Sequence, residues 1–68
     1  MYLNLTNASP AHRGTKLGIN RDLVITLHNG IVTREDGTIE SVTILFCPPH
    51  GNWEVQEDFD TVIAQLNS

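Results

Sequence analysis

The chain has 68 residues, with four basic side chains against eight acidic ones and a formal net charge of −4. That length holds one small domain, residues 1–68, and leaves no room for a second. A single cysteine excludes an intrachain disulfide, yet domains this short commonly need a disulfide, a metal or a partner chain to supplement a small core.

The basic residues Arg13, Lys16, Arg21 and Arg34 are scattered through the first half, and no Lys or Arg follows. Phosphate-binding proteins usually gather such residues on one face, so the charge pattern argues against nucleic acid as a partner. No run approaches the roughly 18–20 apolar residues of a transmembrane helix. The opening Met1-Tyr2-Leu3-Asn4-Leu5-Thr6 lacks the basic region and cleavage site of an export signal. An unpaired cysteine fits a reducing compartment, so a cytoplasmic protein is expected.

In chain order, Tyr2 to Thr6 alternates with period 2 and reads as a half-buried strand, Leu3 and Leu5 on one side. Asn7 to Gly14 is a loop by composition, carrying Ala11, His12 and Arg13 at its tip. Lys16 to Ile19 forms a second strand, ended by the turn-like Asn20-Arg21-Asp22. Leu23 to His28 is a third, apolar strand. Asn29-Gly30 then signals either a tight turn or a bulge. Asp36-Gly37 marks a clearer hairpin turn within Glu35 to Thr38. Ile39 to Cys47 is the longest strand, with Val42, Ile44 and Phe46 on one face and Ser41, Thr43, Leu45 and Cys47 on the other. Pro48-Pro49 ends it, having no ladder donors. Trp53 to Gln56 is a short strand that folds back.

The last element is a helix over about 58–67. Phe59, Val62, Ile63 and Leu66 fall on one apolar stripe at helical spacing. Glu57, Asp58 and Asp60 crowd its first turn, where the macrodipole favours carboxylates, and Asp58 is the candidate N-cap. The expected fold is therefore α+β: a strongly curled antiparallel sheet or SH3-like barrel of four to six short strands within residues 2–56, plus one C-terminal helix.

Few residues offer chemistry. Cys47-Pro48-Pro49-His50 has the spacing of half a zinc site, and His12 and His28 are the remaining candidates for a Cys/His set. The second paired knuckle is missing, so no metal and no cofactor is expected. The Cys47/His50 pair has neither a nucleophile signature nor an oxyanion loop, and a non-enzymatic protein follows. Glu54, Glu57, Asp58 and Asp60 match no calcium loop and read as capping and solvated residues. Trp53 is the sharpest candidate for contact with a partner, because such rings are frequent binding hot spots. His50 and Tyr2 complete the candidate partner-binding set.

Several segments together resemble a known family: Leu5-Thr6-Asn7, Ile19-Asn20-Arg21-Asp22-Leu23-Val24, Val42-Thr43-Ile44-Leu45, and Trp53 through Ile63. They are similar to the small flagellar and swarming-motility proteins of the FlbD type. The Cys47-to-Asn52 turn and the longer Asn7-to-Gly14 loop depart from that pattern. Similar small proteins also occur in phage genomes. The resemblance implies a cytoplasmic accessory protein, motility-related or phage-encoded, with no catalytic or ligand residues to transfer.

The leading expectation is thus a protein-interaction module that also forms a homo-oligomer, through the strand from Leu23 to His28 and the one ending at Cys47. One alternative is a small-ligand or metal-binding protein using Cys47 and His50 with nearby histidines. The other is a small-barrel nucleic-acid binder.

Overall fold

The N-terminal alternation becomes strand β1 (Tyr2–Thr6) in the computed structural model, which describes all residues from Met1 to Ser68. It pairs antiparallel with β2 (Lys16–Asn20), placing Leu3 opposite Ile19 and Leu5 opposite Leu17 on the inward face. A second sheet holds β3 (Thr26–Thr33), β4 (Ile39–Phe46) and β5 (Asn52–Val55) in the order β3-β4-β5, all antiparallel. One helix, α1 (Phe59–Leu66), follows. The five strands and the helix make an α+β fold.

The two sheets are joined where β1 runs on past Thr6. Asn7 bridges to Val55, flanked by bonds from Gln56 N–H to the Thr6 carbonyl and from Ala8 N–H to the Glu54 carbonyl, both 2.9 Å. Through this bridge the strands follow one another in the order β2, β1, β5, β4, β3. The end strands β2 and β3 do not pair, so the two antiparallel sheets are not closed into the barrel that was one expectation.

The structure refines several local readings. The third strand begins at Thr26, because Arg21–Leu23 winds into a 3-10 turn whose N-cap Asn20 side chain accepts from Asp22 N–H. Asn29-Gly30 is neither a turn nor a bulge; β3 passes straight through it, with Gly30 opposite Val42. A Cβ on Gly30 would lie 2.6 Å from Ile44 Cδ1, so the missing side chain is what lets Ile44 lie across the strand. On α1 only Val62 is fully buried, while Phe59, Ile63 and Leu66 are half-buried.

The turns follow their sequence signals. At the β3–β4 hairpin Arg34 N–H donates to the Thr38 carbonyl, and Gly37 takes a φ of +88°, the left-handed region open to glycine. At the next turn His50 N–H donates to the Cys47 carbonyl and Cys47 N–H to that of Gly51. The core gathers Leu3, Leu5, Ile19, Leu45, Cys47, Val55 and Val62. On β4 the inward face is Thr43, Leu45 and Cys47, whereas Phe46 on the other face is exposed.

Alpha helix α1 does a strand's work for β1. The Gln65 side chain accepts from Asn4 N–H (3.0 Å) and donates to the Asn4 carbonyl (3.1 Å). Glu57 accepts from Thr6 N–H and from the Thr6 hydroxyl. Asp58 caps the helix by accepting from Thr61 N–H at 2.8 Å.

Candidate functional site

The outer edge of β2 is open. Arg21 N–H donates to the Met1 carbonyl and Asn7 N–H to that of Thr15. In an antiparallel ladder hydrogen-bonded pairs alternate with non-bonded ones. The odd-numbered residues of β2 therefore face β1, and the N–H and C=O of Lys16, Gly18 and Asn20 face outward.

Alongside that edge lies a groove of about 260 Å³, lined by Tyr2, Leu17, Gly18, Ile19, Asn20, Leu23, Cys47, His50 and Trp53. Leu17 and Ile19 come from the inward face of β2. Trp53 comes from β5, where it pairs with Leu45 and packs, half-buried, against the core. His50 comes from the Cys47–Gly51 turn, and Leu23 from the 3-10 turn, with 39 % of its surface exposed. Tyr2 is exposed, its ring passing 3.6 Å from the position a Cβ on Gly18 would take. No formally charged side chain lines the groove. Its polar side chains are Tyr2, Asn20 and His50, joined by the indole N–H of Trp53 and the thiol of Cys47.

The fold thus brings together all three residues picked out as partner contacts: Tyr2, His50 and Trp53. Leu17, Gly18 and Leu23 were missed. The available signal was Gly18, whose missing side chain leaves the Tyr2 ring room beside it on the outer face.

The zinc candidates are distributed differently. Cys47 and His50 share the groove, while His12 ends the Pro10–His12 turn and His28 sits on β3 opposite Ile44. No three His, Cys, Asp or Glu side chains gather as a metal-ligand set. Burial pushes the Cys47 thiol above its ordinary pKa, which disfavours the thiolate that metal binding or nucleophilic attack requires. Three of the four acidic residues near the helix are engaged locally, Glu57 on Thr6, Asp58 as the cap and Glu54 facing Arg34 at 3.9 Å, while Asp60 is exposed.

A larger concavity of about 560 Å³ at the β3–β4 turn is lined mainly by charged side chains and threonines, with Pro10 beside them. Its arginines are already committed. Arg34 donates to Glu40 Oε1 through Nε (2.9 Å) and Nη2 (2.6 Å), and to the Ala8 carbonyl at 2.7 Å, while Arg13 pairs with Glu40 Oε2. These bonds, that of Arg34 first, hold the Glu40 carboxyl below the usual carboxylate range. A charge cluster so neutralised has little left for a ligand, so the apolar groove is the stronger site. No family model matches the chain, and neither a curated protein nor a solved structure does.

Proposed function

We propose that the protein is a non-catalytic accessory module that docks an extended, apolar segment of a partner protein along β2. The observation that carries this reading is the coincidence of an open strand edge with an uncharged aromatic groove. A peptide strand added to a sheet edge gains main-chain hydrogen bonds, and its alternate side chains enter flanking pockets. Gly18 supplies the outward N–H and C=O for the first; Leu17, Leu23 and Trp53 line the second. Tyr2 and Trp53 are the ring types that dominate interface energetics. The resemblance to small motility proteins fits an accessory role, and the free thiol fits a reducing cytoplasm.

A peptide library displayed against the intact protein tests the proposal. Selected peptides are expected to be rich in aromatic and aliphatic residues, to shift the Gly18 and Asn20 amides and the Trp53 indole in NMR spectra, and to lose at least tenfold in affinity with Leu23→Asp. Binding that leaves those signals unmoved, or that ignores Leu23→Asp in a folded variant, sinks the reading.

A further inference from the structure

The second open edge belongs to β3, and it differs from β2 in length and chemistry. Arg34 N–H donates to the Thr38 carbonyl in the same register that pairs Thr26 with Phe46. By ladder alternation the even-numbered residues of β3 bond to β4. The backbone N–H and C=O of Leu27, Asn29, Ile31 and Thr33 therefore point away from the sheet with no strand beside them. Natural edges are usually protected by lysine, proline, a bulge or shortness. The eight residues from Thr26 to Thr33 contain no formally charged side chain and no proline, and they pair with β4 without a break.

The side chains of these same outward-bonding residues lie on the core-side face. There Ile31 is 75 % exposed and Ile39, diagonally across on β4, is 72 % exposed. The exposed backbone row and the exposed apolar pair thus occupy one margin of the molecule.

We infer that β3 is the self-association edge: two copies join β3 to β3 antiparallel, about a two-fold axis close to Asn29 and Gly30, into one six-stranded sheet. Three observations select a second copy as the occupant. An unbroken edge of eight residues is matched in length and chemistry by the same edge of a second copy. An uncharged edge lets two chains, each with a net charge of −4, meet without like charges facing across the seam. Antiparallel pairing of a strand with itself closes the assembly after two chains, and it carries the core-side face across the seam, so that Ile31 of each copy lies near Leu27 or Asn29 of the other. Lys16 and the five-residue length make β2 a poorer self-pairing edge. The inference is independent of the groove beside β2.

Sedimentation equilibrium of the full chain at low micromolar concentration, combined with hydrogen exchange, tests it. Expected is a species of twice the 7.5 kDa chain mass. Its Asn29 and Ile31 amides should gain protection as concentration rises, while those of Lys16 and Gly18 stay fast. Ile31→Lys, at an exposed position, should give a folded monomer with an unchanged circular dichroism spectrum, and Lys16→Glu should remain dimeric. A 7.5 kDa species throughout this range overturns the inference. So does a dimer that survives Ile31→Lys, or one whose concentration-dependent protection falls on β2.

Discussion

Arg34 ties three parts of the chain together with one guanidinium. It holds Glu40 on the neighbouring strand through two nitrogens, reaches the carbonyl of fully buried Ala8, and faces Glu54 of β5. Glu54 Oε1 is itself buried without a hydrogen bond, so Arg34 is the nearest compensation for its charge. A charge-assisted bond to a buried carbonyl contributes about 1–3 kcal/mol. Arg34→Ala is accordingly expected to lower stability by roughly that amount in urea unfolding, and Arg34→Lys to recover little of it, since a point charge cannot serve several acceptors as a planar fork does. None of this is visible in the sequence, where Arg34 is one of four scattered cations; its role depends on the Asn7–Ala8 segment folding over β5. That segment reads as loop from its Asn, Ser and Pro content. In fact Asn7 and Ala8 are buried and extend β1, because Val55 and Glu54, 48 and 46 residues away, complete their pairing. Gly30 carries the same lesson. The Asn-Gly signal is local, and what overrides it is an Ile44 side chain arriving from another strand.

At the scale of elements, strands and helix were legible wherever periodicity is intrinsic. Leu3 and Leu5 mark β1, and the 59, 62, 63, 66 spacing marks α1 with its Asp58 cap. Which face of β4 turns inward was not legible. Val42, Ile44 and Phe46 form the more apolar set, but Leu27, Val55 and Val62 supply the core from the side of Leu45 and Cys47. Apolar content alone cannot choose between two faces when the covering helix is set by the connection that follows β5. Val62 is the helix's one fully buried residue and touches that core directly. Val62→Ala removes two methyl groups, and with the cavity left behind should cost about 2–3 kcal/mol by chemical denaturation. Ala64→Ser, on the exposed side of the same helix, should stay within about 0.5 kcal/mol.

For the whole molecule, only 11 of 68 residues are buried, so net stability is small and titration reaches it easily. Asp36 is held below the usual range by the Thr38 hydroxyl and then the Thr38 N–H, Asp58 likewise by Thr61, and Glu40 by Arg34 and Arg13. Each favours the folded state above the ordinary carboxylate pKa of about 4, and that contribution is lost as pH falls further toward the lowered folded values. Cys47 acts at the other end. Its thiol is raised by burial, so above the unfolded value of about 8.5 the unfolded chain ionises first, and this contribution is lost as pH rises through the folded pKa. Thermal melts should show a plateau between about pH 4.5 and 8 with a fall on both sides. A Cys47→Ala variant should lose the alkaline fall and keep the acid one. The candidate site itself was half legible: Tyr2, His50 and Trp53 stand out as residue types, but that they share one groove follows from β5 and the Cys47–Gly51 turn returning beside the β2 edge.

The clasp of Gln65 on Asn4 joins positions 61 residues apart. Contacts of such separation form only after the intervening loop has closed, and closure is repaid late in folding. During synthesis β1 and β2 are therefore made well before the residues that seal β1. Its inner margin stays open while more than half the chain is still being made. Residues 57 to 66 thus work as a latch as well as a lid: until they arrive, β1 is held from one side only.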